Sequence, residues 1–117
     1  MKWLFAILLV VGCAKKREAE PIADDRAPLM APAEVQTARD ACKAYVEKAC
    51  ACAERVPAAK DTCELARALP EAVRISLEVA ASPDSTRSDG VLAQRSVRKT
   101  VKECIEQTAK LPMLGCP

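Results

Sequence analysis

The sequence predicts an all-α fold: a small disulfide-stapled three-helix bundle behind a disordered tether. Apolar residues recur with the 3.6-residue helical period from about residue 33 onward, and no stretch alternates with the two-residue period of a strand. Proline and turn-forming residues divide this region into three segments. Beyond residue 13, the chain holds six cysteines and only one aromatic residue, Tyr45. A core of small side chains buries little apolar area, so disulfides are expected to supply part of the stability of the fold.

The first helix is predicted from Ala33 to about Arg55. Its apolar residues recur on one side, while the charged side chains fall mostly elsewhere. Pro57 ends it, because a residue that precedes proline, here Val56, disfavours the helical region. The inward side is predicted to comprise Val35, Ala38, Cys42, Val46, Ala49, Cys50 and Ala53.

The second helix is predicted to begin near Ala58, with a kink or a restart at Pro70. Its main apolar stripe comprises Cys63, Ala66, Leu69, Val73, Leu77 and Ala80. A second apolar side comprises Leu65, Ala72, Ile75 and Val79. Apolar residues on two sides predict a middle helix with contacts on both of those sides.

A turn-rich connector over 82–90 leads to the third helix, which is predicted to end before Pro112. Its inward residues are predicted to be Val97, Val101, Cys104, Ile105 and Thr108. Residues 113–117 form a short tail that must turn back to pair Cys116. Short connections predict an up-down-up bundle, in which the first and third helices are parallel.

The first thirteen residues have the organisation of a bacterial export signal. Lys2 supplies a positive charge, and residues 3–11 form an apolar run that rises only about 14 Å as a helix. That is too short to span a hydrocarbon core of about 30 Å. The window VVGC at residues 10–13 resembles the lipobox of bacterial lipoproteins. The resemblance implies that signal peptidase II cleaves before Cys13, whose thiol carries a diacylglycerol and whose new amino group is usually acylated.

This resemblance divides the chain and predicts where it is located. Residues 1–12 are the signal peptide, residues 13–32 the lipidated N-terminus and disordered tether, and residues 33–117 the helical disulfide-rich domain. The chain is expected to be exported and anchored to the bacterial membrane by lipid on Cys13. Ala14 stands where aspartate retains lipoproteins of enteric bacteria in the inner membrane, so the outer membrane is favoured. An ordinary cleaved signal, with a cysteine there by chance, is the alternative.

Six cysteines remain for the domain once Cys13 is assigned to lipid, and an even number in a small exported domain predicts disulfides. They are Cys42, Cys50, Cys52, Cys63, Cys104 and Cys116. Cys50 and Cys52 lie about 200° apart around a helix, so they need different partners. Among the many pairings that six cysteines allow, helical-hairpin geometry favours Cys52–Cys63, Cys50–Cys104 and Cys42–Cys116.

The sequence Cys50-Ala51-Cys52 has a chemical alternative, because paired thiolates bind soft metals such as copper or zinc, and C-x-C pairs can exchange disulfides. The chain has no histidine. A zinc site would therefore need further cysteines or carboxylates, and a reactive thiol would lack an acid–base partner. Structural disulfides are favoured, and no metal site or cofactor is assigned.

The third helix also carries a basic stripe at helical spacing, formed by Arg95, Arg98, Lys99 and Lys102. It is a candidate docking face for anionic lipid, lipopolysaccharide phosphate or an acidic partner helix. The interleaved Glu103 and Glu106 favour an ordinary solvated surface instead.

Composition excludes several classes of function. The formal net charge is only +2, and aromatic side chains for stacking bases or lining a ligand pocket are lacking, so neither nucleic acid nor a small-molecule substrate is expected. No histidine-based triad or glycine-rich phosphate loop exists, and no catalytic residue is assigned. The predicted function is a membrane-anchored lipoprotein with a non-catalytic interaction or structural role in the cell envelope, with an envelope protein as its partner. A periplasmic copper- or zinc-binding protein that uses Cys50 and Cys52 is the alternative.

Overall fold

The computed structural model describes residues 26–117, and within them three long helices follow one another. They are α1 (Pro32–Ala53), α2 (Lys60–Ala81) and α3 (Arg87–Lys110). A 3-10 turn at Pro57–Ala59 leads into α2, and a second one at Leu111–Leu114 follows α3. No strand occurs in the described range, and the predicted all-α three-helix fold is confirmed.

Contacts between the helices show an up-down-up arrangement. Glu34 near the start of α1 contacts Arg98 of α3, and Cys42 further along α1 is bonded to Cys104 further along α3. These two helices are therefore parallel, and α2 runs antiparallel to both and packs against each of them. We call the end where α1 begins the entry end and the end where α1 finishes the distal end.

The core is made of small residues. Its largest fully buried side chains are those of Val73, Val97, Cys42 and Cys104. The predicted inward stripes of α1 and α2 are all buried or half-buried, as expected. Tyr45 joins them, and burial, followed by the nearby Glu103 carboxylate, raises the pKa of its phenol.

Three details of the helices differ from the prediction. Ile105 is 55% exposed rather than inward, because it lies at the outer edge of the contact between α1 and α3. Helix α2 continues through Pro70 without a restart. The second apolar side of α2 is exposed, and it comprises Leu65, Ala72, Ile75 and Val79. The main stripe lies in the core instead, and beside it Ser76 hydrogen-bonds Ser96 of α3.

Helix α3 begins within the connector predicted over 82–90. The hydroxyl of Thr86 accepts from the Asp89 backbone N–H at 3.1 Å, and the Asp89 carboxylate accepts from the Thr86 N–H at 3.0 Å. This capping box satisfies donors that the first turn of a helix leaves unpaired. The connector is therefore confined to residues 82–86.

The segment that leads into α1 lies against α3. Ala27 is buried, and a Cβ added at Gly90 would come within 3.1 Å of the Ala27 Cβ, so the absence of a side chain permits this close approach. The Gln94 amide also donates to the Pro28 carbonyl. The downstream end of the predicted tether thus contacts the bundle. The predicted signal peptide, Cys13 and the rest of the predicted tether lie outside the described residues.

All six cysteines of the domain are paired, but not as predicted. The structure contains Cys42–Cys104, Cys50–Cys63 and Cys52–Cys116. The predicted pairs Cys52–Cys63, Cys50–Cys104 and Cys42–Cys116 do not form. The expectation that Cys50 and Cys52 take different partners is confirmed, with Cys50 facing α2 and Cys52 facing the tail.

The physical reason is the register between α1 and α3. The prediction placed Cys104 level with Cys50, which is about 12 Å further along α1 than Cys42, its observed partner. At the distal end, Gly115 adopts a left-handed conformation with φ 91° and closes the turn after Leu111–Leu114. The tail therefore stays beside the end of α1, where Cys116 reaches Cys52.

Candidate interaction surfaces

All six cysteines within residues 26–117 are in disulfides, so none of them presents a free thiol in this structure. Cys50 and Cys52, the pair of the metal-binding alternative, are each bonded to another sulfur. Metal binding requires deprotonated thiols, which a disulfide does not supply. Within residues 26–117, no group of three or more cysteine or carboxylate side chains is arranged to hold a metal ion.

The basic stripe is divided between different environments. Arg98 of α3 bonds a residue of α1. Its Nε donates to the Glu34 carboxylate at 2.7 Å, and this hydrogen bond lowers the pKa of Glu34. The Lys102 Nζ lies 3.8 Å from the Glu106 Oε1 on the same helix. Arg95 and Lys99 are exposed further round α3. Two of the four basic residues thus have carboxylate neighbours, and the docking face stays a prediction.

A groove of about 380 Å³ runs between α1 and α3 on the side of the Glu34–Arg98 pair. Its floor is apolar and its rim is charged by Glu34, Arg98, Lys102 and Glu106. Apolar side chains of the floor include Met30, Ala38, Val97, Val101 and Ile105. The groove is open, and the salt bridge at its rim joins the two helices that form its walls.

A second apolar surface covers the outer side of α2, and we call it the α2 strip. It comprises Leu65, Ala68, Ala72, Ile75 and Val79. Leu65 is 73% exposed and Ile75 49%. At the entry end the strip continues across a shallow groove to Leu92 of α3, which is 58% exposed. This is the largest run of exposed apolar side chains along any one helix of the described bundle.

No family model, curated protein or solved structure matches this chain. The surfaces must therefore be interpreted from their own chemistry. Among the helices of residues 26–117, none combines the length and the apolarity needed to cross a bilayer.

Sequence reasoning found every residue of the α2 strip except Ala68, but it assigned them to a contact with a neighbouring helix. The signal that distinguishes the two cases was present: their positions 65, 68, 72, 75 and 79 repeat with alternating steps of four and three. Such spacing is typical of a seam between two packed helices. The α1–α3 groove was missed because Met30 precedes α1 and was included in the predicted tether.

Proposed function

We propose that this chain is a bacterial lipoprotein that is anchored through lipid on Cys13 and carries a non-catalytic interaction module. The module is the three-helix domain, displayed on the periplasmic or outer side of a membrane. Its partners are proteins or other surfaces of the cell envelope, and its disulfides keep the interacting side chains in a fixed arrangement.

The observation that carries this proposal is the pairing of cysteines. The chain has seven, and the six of the domain are bonded to one another. Cys13 is left over, at the one position where the lipobox resemblance requires a free thiol for lipid. Structural disulfides also persist in oxidising compartments outside the cytosol, which is the destination that an export signal predicts.

The entry segment supports the same proposal. Residues 27 and 28 pack on α3 at the entry end, so the chain from Cys13 reaches the bundle at that end. Twelve residues lie between Cys13 and Arg26, a span of at most about 45 Å when fully extended. The lipid on Cys13 would therefore hold the bundle through its entry end.

The experiment is the intact mass of the chain purified from bacterial membranes, without reduction. We expect loss of residues 1–12, added acyl mass on Cys13, and six fewer hydrogens, two for each disulfide. Metabolic labelling with a clickable palmitate provides a second readout, because the label should be absent from Cys13→Ser.

Cys116→Ser is the matched control, since it also removes one cysteine but leaves the lipobox intact. It should keep the palmitate label. A mature chain without acyl mass would contradict the anchor, and stoichiometric copper or zinc on a chain with free thiols would favour the metal-binding alternative.

A further inference from the structure

We propose that the α2 strip is a self-association surface, on which a second copy of this chain docks side by side and parallel to the first. The strip repeats with the four-three spacing of a helix–helix seam, yet in the described bundle its side chains face solvent. Leu65, Ile75 and Val79 supply the bulky apolar contacts, and Ala68 and Ala72 permit close approach of two backbones. The inference rests on the interaction role proposed above and does not require the lipid anchor.

Charged residues along the two edges of the strip have opposite signs. One edge is acidic and belongs to α2, with a glutamate every seventh residue at Glu64, Glu71 and Glu78. Arg74 contacts both Glu71 and Glu78, and these hydrogen bonds hold the carboxylates at that edge. The Arg74 pairs are exposed, and such pairs contribute little by themselves.

The other edge is basic and belongs to α3. Leu92 borders the strip, and Lys99 lies about 20° and Arg95 about 60° further round the helix from it. Both are exposed. Asp89 lies in the groove beside Leu92, and Glu103 follows one turn beyond Lys99. The basic part of this edge is therefore Arg95 and Lys99, in the entry half of the strip.

Symmetry then selects the orientation. A two-fold axis parallel to the helices places the acidic edge of one copy against the basic edge of the other. A two-fold axis perpendicular to the helices places acid against acid and base against base, which is unfavourable. Charge complementarity therefore selects the parallel pair, in which both entry ends lie on the same side.

The register of the charges fits this pairing. The hydroxyls of Ser76 and Ser96 lie 3.2 Å apart and show which levels of the antiparallel α2 and α3 coincide. Counting from them, Glu78 is one residue from the level of Arg95 and Glu71 is two residues from the level of Lys99. These offsets are about 1.5 and 3 Å along the axis, within the reach of the side chains. A two-fold axis along the helices preserves levels, so both pairs form in the dimer.

The interface is small. The strip spans about 21 Å along α2 from residue 65 to 79. Its area is below that of a standard interface, which indicates a weak dimer in solution. Attachment of both copies to one bilayer would raise their effective concentration, and parallel packing places the two entry ends, where the tethers join, on the same side.

The test uses the full chain, co-expressed in bacteria as two differently tagged copies. A photo-reactive benzophenone amino acid at Ala72 should give a product of twice the monomer mass that carries both tags. The control is the same probe at Ala33, an exposed alanine on α1 outside the strip, which should give none. Mass spectrometry of the product should join the α2 strip of one copy to the same region of the other.

Charge exchange tests the edges. E71K/E78K in both copies, or R95E/K99E in both copies, should reduce the crosslink about tenfold, because like charges then face each other. One copy of each variant, expressed together, should restore the crosslink to within about twofold of the original, which also shows that both variants fold.

Several results would overturn the inference: equal crosslinking from Ala33, failure of the mixed variants to restore the product, or a strip-dependent product with a different protein. The last would leave the interaction role intact. Lipid on Cys13 is measured on the same samples by intact mass, so absence of the anchor is distinguishable from absence of the dimer.

Discussion

Gly115 shows how one residue determines where a disulfide forms. Its φ of 91° lies in the left-handed region, and its N–H donates to the Pro112 carbonyl at 3.1 Å. The turn brings Cys116 back to Cys52. An added Cβ would meet no atom within 4 Å, so the cost of a substitution is one of backbone conformation.

We therefore expect Gly115→Ala to lower the free energy of unfolding of the oxidised protein by about 1–2 kcal/mol. Gly115→Asn should cost less, because asparagine tolerates the left-handed conformation. Urea unfolding of the three proteins checks this. Equal stability of the alanine and asparagine variants would contradict a conformational origin.

At the scale of elements, α3 depends on the cap at its start. Thr86→Ala removes the hydroxyl that accepts from the Asp89 N–H, and we expect a loss of about 1 kcal/mol in the free energy of unfolding. Thr37→Ala is the matched control, since the Thr37 hydroxyl donates to the Ala33 carbonyl inside α1 and caps no helix end. Its effect should stay within about 0.5 kcal/mol. Similar losses in both variants would argue against the capping contribution.

The same capping box makes stability depend on pH. The backbone N–H and then the hydroxyl of Thr86 lower the pKa of Asp89 in the folded state. A carboxyl whose folded pKa is depressed stabilises the protein above its unfolded pKa, and that contribution is lost as pH falls through the folded pKa. Asp89→Asn should therefore lower the melting temperature at pH 6 and flatten its decline between about pH 5 and pH 2. A decline as steep as in the unsubstituted protein would contradict this assignment.

Much of the helical organisation could be predicted because it depends on local pattern. The 3.6-residue period located the inward stripes of α1 and α2, and Val56 before Pro57 marked the end of the first helix. The start of α3 was placed too late, although Thr86 and Asp89 have the spacing of a capping box and could have located it. The exposure of Ile105 could not be predicted, because a residue at its position on α3 can lie either inside the contact with α1 or at the outer edge of that contact.

At the scale of the whole molecule, the disulfide pairing could not be predicted, because it depends on helix register. Local pattern shows that Cys50 and Cys52 face different neighbours, but it does not show how far α3 has slid along α1. A slide of eight residues exchanges Cys42 for Cys50 beside Cys104. The basic stripe was affected similarly, since only the register brings Arg98 to Glu34. The α2 strip was found in the sequence, but whether it faces a neighbour or solvent is a property of the assembled bundle.

The three disulfides should differ in their contributions to stability. Cys42 and Cys104 are both fully buried at the centre of the core, and their sulfurs occupy space that no large aliphatic side chain fills. C42A/C104A should therefore lower the free energy of unfolding through both the lost crosslink and the cavity, by about 4–5 kcal/mol.

C50A/C63A is the matched comparison, because it removes a bridge between residues only 13 positions apart, with Cys50 half-buried. A shorter loop constrains the unfolded chain less, so we expect a loss of about 2–3 kcal/mol. Chemical unfolding of both variants under oxidising conditions gives the comparison, with the remaining disulfides verified by non-reduced mass. Loop length accounts for about 1.4 kcal/mol of the difference. The remainder is expected from packing, since the largest fully buried residues of the bundle are two valines and the two cysteines of the central bridge. If the two losses differed by no more than the roughly 1.4 kcal/mol that the loop lengths of 62 and 13 residues account for, the central disulfide would act only as a crosslink, and its sulfurs would contribute nothing to packing.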